Sequence, residues 1–474
     1  MMGKQDTDSD CGSPEGKIMT ELGVSVLSKV GKTPLEKSKF YNARLALIRE
    51  AVLNTLCTMT RETTETLHCV DAVGGTGVTG LQWKVRLKNL VHVTITEKEH
   101  ITEVQSNCER NRISDCPLPL DMSRVPGDPM VSQRDQEVHT CKCTAPVLLH
   151  MEAFDFVYLY PHSNISGHID AAVTNIRNNG VLCLVSTDST HQFTRSAVSV
   201  RRHFGATVTK TEYLKELAAR VIIGSIVRAA AKCNKGVEVL YVLFVEDFFL
   251  VAVKVLRGPK FADSCTDRIR RLLHCQMCEE RVFYPLTNTP IEHPYTLLPC
   301  RCQDTTPGKT ALVLGPMWSG ELFSSVFLAR NLINAKEEQF SKKLHSIWTV
   351  MLDEVRCVQS IVPKETENGS NPTEEPCVKR QKLCDSGVSQ MSTESGSDHE
   401  QMPPFFYNVL RRKWKGIDVP KYPVLLDLLH REGHRASRTH FDFGGIRTSA
   451  TLTDVTLILS KHCQLTQQSS VPVE

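Results

Sequence analysis

The stretch VDAVGGTGVTG (70–80) constrains this chain more than any other. It follows an apolar run, TLHCVDAV, and precedes a segment with helical patterning. A strand that ends in a glycine-rich turn and feeds a helix lets backbone approach a ligand, and the helix N-terminus favours negative charge there. Gly75 and Gly77 are the candidates for that approach, with Asp71 at the strand end. Glu97 lies 26 positions beyond Asp71, after the next apolar run, LVHVTIT. A carboxylate there can accept hydrogen bonds from both hydroxyls of a ribose. This geometry serves NAD and S-adenosylmethionine alike.

From Phe40 to about Gly258, apolar runs alternate with helical patterns. Strands are expected in 66–73, 90–96, 153–160 and 181–187, with a pair inside 237–256, and helices over 98–110 and 212–233. The pair reads as two buried strands around a turn and not as a membrane span, because Glu246, Asp247 and Lys254 interrupt it. A mostly parallel sheet that closes on an antiparallel hairpin has the outline of a class I methyltransferase. The closing hairpin favours the methyl donor, and no pair of residues suited to hydride transfer supports a reductase.

A length of 474 residues calls for two or three domains. We read 1–38 as a polar N-terminal segment without the apolar core of a secretory signal. Residues 39–258 form the α/β domain, and 259–362 begin a smaller α+β C-terminal domain. Residues 363–402, rich in Ser, Glu, Thr and Pro, are expected to be a disordered insert. The second part of the C-terminal domain is 403–474. Lys379-Arg380-Gln381-Lys382, inside the insert, suits nuclear import, so a nuclear location is expected over a cytoplasmic one. No membrane partner is expected.

Eighteen cysteines without a secretory signal imply reduced thiols, some of them holding metal. Cys275 and Cys278 form a CxxC pair, and Cys300 and Cys302 form a CxC pair, the two separated by 21 residues. Two such pairs converging from different loops suit a structural, tetrahedral Zn²⁺ with no open coordination position. Cys141 and Cys143 form another close pair with no evident partners. The net charge of +3 does not by itself point to a nucleic acid, but local clusters do. Arg201 with Arg202, the run Arg411-Arg412-Lys413-Trp414-Lys415, and Arg438 with His440 are candidates for binding RNA. Glu216 and Arg220 sit one helical turn apart and suit an ion pair.

A series of segments in order resembles the tRNA guanine-N(2) dimethyltransferases, most closely their vertebrate branch described as tRNA methyltransferase 1-like. The segments are KFYNARLALIRE (39–50), DAVGGTGVTG (71–80), TEYLKELAARVIIGSIVRAAAKCNKGVEVL (211–240), GPMWSGELF (315–323), PPFFYN (403–408) and SRTHFDFGGIRT (437–448). The resemblance implies S-adenosylmethionine as donor, tRNA as partner, and one or two methyl groups placed on the exocyclic amine of a guanosine near position 26. It adds Arg49 and Ala145 to the donor site, the latter within Thr144-Ala145-Pro146, where the family has Asp-Ala-Asn. It also places the family's catalytic Asp-Pro-Phe/Tyr-Gly motif on Tyr160, Pro161, His162 and Ser163, so that a tyrosine stands where the acid is expected. The family's arginine in the glycine turn falls on Thr79. The alternative implied by these departures is a tRNA-binding protein that kept the fold and lost the chemistry.

Overall fold

In the computed structural model, the described residues are 16–28, 41–119, 136–161, 165–187, 193, 197–286, 291–306, 308, 310–358, 405–412, 414 and 417–469. The expected insert at 363–402, the Lys379–Lys382 run, His162, Ser163, Lys413 and Lys415 lie outside them.

An eight-stranded sheet organises the larger part of the chain. Its strands are β3 (Leu67–Asp71), β4 (Val91–Thr96), β5 (Ser114–Pro117), β6 (Glu137–Cys141), β7 (Phe156–Leu159), β8 (Val181–Thr187), β9 (Lys235–Val245) and β10 (Phe248–Arg257). They lie in the order β5-β6-β4-β3-β7-β8-β10-β9. The first six pair in parallel, and β10 runs antiparallel to both β8 and β9. The expected parallel sheet with a closing hairpin is therefore present, and 237–256 forms two sheet strands. Among the described residues no helix is long and apolar enough to cross a membrane.

Both faces of the sheet are covered, which is why β8, β9 and β10 read as nearly continuous apolar runs and not as alternating ones. Helices α1 (Ala46–Thr60), α2 (Val78–Leu87), α3 (Ile101–Arg110), α4 (Ala145–Met151), α5 (Ser166–Thr174), α6 (Ala197–Phe204) and α7 (Leu214–Lys232) supply that cover. Two features escaped the sequence reading. Strands β5 and β6 are short and partly polar, so neither shows as an apolar run. Within the stretch read as a polar segment, β1 (Lys17–Glu21) and β2 (Val24–Ser28) form a hairpin. Asn107 and Asn111 hold β2 by accepting from the Leu27 and Ser25 amides at 2.8 and 2.9 Å.

After a short helix α8 (Pro259–Thr266), strands β11 (Ile269–Cys275), β12 (Arg281–Phe283) and β13 (Ala311–Trp318) form a second sheet, β12-β11-β13. Helices α9 (Ser325–Glu337) and α10 (Lys342–Val358) follow and share one apolar core with α1 and the large sheet. A last unit has its own core: the small sheet β14 (Tyr407–Asn408), β15 (Ala436–Arg438) and β16 (Gly445–Thr448), packed with α11 (Tyr422–Arg431) and α12 (Leu452–Ser469).

Candidate active site and metal centre

The carboxyl ends of β3, β4 and β7 meet at one edge of the sheet, where open α/β sheets place their ligands. The turn after β3 is tight. Gly77 has φ +79° and starts α2 without a side-chain cap, and a Cβ on Gly74 would stand 2.4 Å from the Ile95 methyl Cγ2. Backbone from this turn touches β4 directly: the Gly74 amide donates to the Thr96 carbonyl at 2.8 Å. The Gly75 amide donates to Glu97 Oε2 at 3.0 Å. Glu97 Oε1 accepts from the Glu99 amide at 3.1 Å, so the carboxylate is held in place while each oxygen keeps a further lone pair for a ribose hydroxyl. Asp71 is buried; its Oδ2 accepts from the Gly80 amide at 3.2 Å, and Oδ1 has no aligned partner. Burial, with a contribution from the Glu97 charge, pushes the Asp71 carboxyl up to about 7.

Arg49 lies on α1 and is buried, but its guanidinium is taken. It binds Glu21 through two bonds, of 2.8 and 2.5 Å, and donates to the Asn42 carbonyl at 3.1 Å. Tyr41 and Gln82 donate to the same Glu21 carboxylate at 2.8 and 3.0 Å. Arg49 thus anchors the N-terminal hairpin beside Asp71, a role the sequence did not show because Glu21 sits in a polar stretch without pattern. Thr79 is buried in α2, and Ala145 is the buried first residue of α4. Next to it, the Cys141 and Cys143 sulfurs stand 3.4 Å apart.

Tyr160 follows β7 directly and is buried with Pro161. Its hydroxyl hydrogen-bonds the Asn42 side chain, and its ring meets Phe248 edge-on, with centroids 6.3 Å apart. Burial pushes the phenol up to about 12, so it is neutral at working pH. Asp155 does not reach this position. It stands at the opposite end of β7, where it binds Arg177 at 2.8 Å and accepts from the His68 amide at 2.8 Å.

Cys275, Cys278, Cys300 and Cys302 converge, with all four sulfurs within 4.8 Å of one another. A zinc tetrahedron with bonds of about 2.3 Å requires sulfurs roughly 3.8 Å apart, so the set suits that ion. His274 points away and shares a 2.7 Å hydrogen bond with Tyr213. Burial and the Arg281 charge bring its imidazole down to about 4. The cysteine knuckle also ties parts of the chain together: Arg412 donates to the Cys278 carbonyl at 2.9 Å, and Glu279 accepts from the Glu212 amide at 2.7 Å.

The basic candidates divide. Arg201, Arg202, Arg411 and Arg438 are exposed. Arg412 is largely spent on Glu212, at 2.8 Å, and on Cys278. His440 needs correction as a surface contact: its side chain is only 4% exposed and holds Glu354 at 2.9 Å. It belongs to a buried network in which Arg447 bridges Glu354 and Glu216, and Glu216 pairs with Arg220 at 2.8 Å, as their spacing implied.

Comparison with known proteins agrees with this architecture. The model of the family described as N2,N2-dimethylguanosine tRNA methyltransferase matches residues 23–367. The chain is 36% identical over 449 residues to a tRNA (guanine(27)-N(2))-dimethyltransferase of Rattus norvegicus, covering 90% of this chain and 62% of that protein. A tRNA (guanine(26)-N(2))-dimethyltransferase of Methanobrevibacter smithii is 24% identical over 421 residues, covering 89% and 90%. The chain thus spans about three-fifths of the length of the mammalian relatives it matches. In fold it is similar to Trm1 from Pyrococcus horikoshii, solved with S-adenosyl-L-methionine, at TM-score 0.66 and 18% identity over 94% of this chain and 99% of that one. None of these relatives is described as a non-catalytic binding protein, and the alternative of a fold without chemistry finds no support in them. This chain belongs to the N2,N2-dimethylguanosine tRNA methyltransferase family.

Proposed function

We propose that the chain transfers methyl groups from S-adenosylmethionine to the exocyclic amine of a guanosine in tRNA. The observation that carries this reading is the carboxyl edge of the sheet, where the Gly74–Gly77 turn, Asp71 and Glu97 lie beside the end of β7 that leads into Tyr160, within a chain of this family. The donor would lie against the glycine turn with its ribose on Glu97 and its adenine toward Ala145, and it supplies a methyl group on a cationic sulfur. The buried Asp71 Oδ1, which lacks an aligned partner, suits a donor with cationic groups.

The chain's own task is to hold the amine in line. A guanine amine is a weak nucleophile because its lone pair is drawn into the ring, so most of the gain comes from positioning. Tyr160 can accept one N–H hydrogen bond from the amine, with Asn42 fixing the phenol. A carboxylate is not required as the terminal base. Once the nitrogen carries a new methyl group and a positive charge it is strongly acidic, and its proton passes to water. Tyr160 is therefore a positioning acceptor, and its high phenol pKa keeps it neutral. The four cysteines would hold a structural zinc away from the reacting atoms.

The test uses tritiated S-adenosylmethionine and total tRNA with the wild type and Tyr160→Phe. Label is expected in tRNA with the wild type and about tenfold less with Tyr160→Phe, the value of one lost hydrogen bond of about 1.4 kcal/mol. No transfer by the wild type, with donor and tRNA both bound, would overturn the reading.

A further inference from the structure

Phe443 is 76% exposed, an unusual position for a phenylalanine in a hydrogen-bonded loop. The loop is braced on every side. The Gly444 amide donates to Asp442 Oδ1 at 2.9 Å, and the Gly445 amide donates to the Asp442 carbonyl at 3.0 Å. Tyr422 Oη donates to the carbonyls of Phe443 and Gly445. Phe441 is buried and stacks on Phe406 with centroids 6.1 Å apart. The exposed ring is therefore presented by design of the backbone and not by looseness of the segment.

Its surroundings are cationic and aromatic in alternation. The Arg411 guanidinium lies 5.6 Å from the Phe443 ring centroid, and the Arg438 guanidinium lies 5.0 Å from that of Tyr422. Both arginines are exposed. The one acid in the loop, Asp442, is 4% exposed, with Lys215 at 3.7 Å and Arg411 at 3.6 Å, so the strip presents positive charge outward. Arginine planes and aromatic faces in such a row suit unstacked nucleobases and the phosphates between them.

The strip also lies on the methyl-transfer side of the molecule. Lys215, at the start of α7, donates to the Phe441 carbonyl at 2.9 Å and stands 4.2 Å from the Phe244 ring centroid near the end of β9. The turn that follows β9 holds Glu246 and Asp247, which bind Arg44 at 2.8 and 2.5 Å. Arg44 is two residues from Asn42, the partner of Tyr160. Strand β9 runs in the same direction as β7, so its end and Tyr160 share one edge of the sheet.

We propose that Phe443, with Arg411, is a stacking platform for an unpaired base of the RNA substrate on the carboxyl-edge side of the large sheet. This rests on the reading of the chain as an RNA methyltransferase. The platform holds a neighbouring base while the target guanosine occupies the candidate site, since a base reached by chemistry must leave its stack.

The experiment measures binding of an in vitro transcribed tRNA to the wild type, Phe443→Ala, Phe443→Leu and Phe443→Trp, with tritium transfer recorded alongside. Phe443→Ala is expected to weaken binding roughly 5- to 150-fold, the factor for a lost base stack of about 1–3 kcal/mol. Its melting temperature should not move, because the ring is exposed. Phe443→Leu should bind nearly as weakly, and Phe443→Trp should bind like the wild type and add tRNA-dependent fluorescence quenching. Wild-type affinity in Phe443→Ala or Phe443→Leu overturns the platform and leaves methyl transfer standing. A wild type that transfers no methyl group, while Phe443→Ala loses tRNA affinity, overturns the enzyme reading and leaves the platform standing. A wild type that does not bind tRNA overturns the platform.

Discussion

At the carboxyl edge of the large sheet, the candidate donor site is positioned mainly by backbone: Gly74 to Thr96, Gly75 to Glu97 and Gly80 to Asp71. At the junction of α7, α10 and β16, position is fixed instead by buried side-chain charge, with Glu216, Arg220, Glu354, Arg447 and His440 each bonded to another member. The first arrangement spends local turn geometry, tolerates solvent and can admit a ligand. The second takes several charges out of water, is worth little unless complete, and has the geometry of a clamp. The two buried carboxyls show the contrast. Burial, only partly offset, leaves Asp71 at about 7, whereas at Glu354 the charges of Arg447 and His440 outweigh burial and bring the carboxyl down to about 2.

The clamp gives the largest expected effect. Glu354→Ala strands Arg447 and His440 in the interior and is expected to cost ~3–5 kcal/mol, read as a fall in the denaturation midpoint. A loss below ~1 kcal/mol would mean that the network is not a clamp. Next, Cys278→Ser should abolish zinc uptake, measured by atomic absorption, and lower the melting temperature by more than ~5 °C, because metal binding to such a site is folding free energy. Donor affinity should change little, which a titration calorimeter would check.

In the glycine turn, Gly74→Ala forces a methyl group against Ile95 and is expected to cost ~1–3 kcal/mol, with donor affinity falling more than tRNA affinity. The smallest effect separates the two carboxyls by the sign of their pH dependence. Glu354 falls on folding, so its contribution is present above pH ~4.5 and is lost as pH drops toward 2. Asp71 rises on folding, so the native state holds an extra proton and stability from this group declines as pH climbs from ~4 to 7. Asp71→Asn should flatten the upper slope alone, and Glu354→Gln the lower slope alone, in melting curves taken across pH. Parallel slopes in both variants would erase the distinction.

The same contrast explains what the sequence disclosed. The sheet, its closing hairpin, the glycine turn, Glu97 and the four cysteines were legible because each is a local pattern or a spacing. Glu21 was not, since its meaning lies in Arg49, Tyr41 and Gln82, which it meets only after the β1–β2 hairpin folds over. His440 was misread because a histidine beside arginines looks like a surface contact until Glu354, 86 residues earlier, is brought against it. Arg412 was misread for the same reason, its partner Glu212 standing 200 residues away. Tyr160 stands directly after β7, and its alliance with Asn42 was not legible because the two are far apart in sequence and share no local pattern.

The most direct measurement is mass spectrometry of nucleosides from unmodified tRNA incubated with the purified chain and S-adenosylmethionine. N2-methylguanosine or N2,N2-dimethylguanosine is expected, strongly reduced with Glu97→Ala. No methylated guanosine, or methylation at another atom or base, would contradict the proposed methyl transfer.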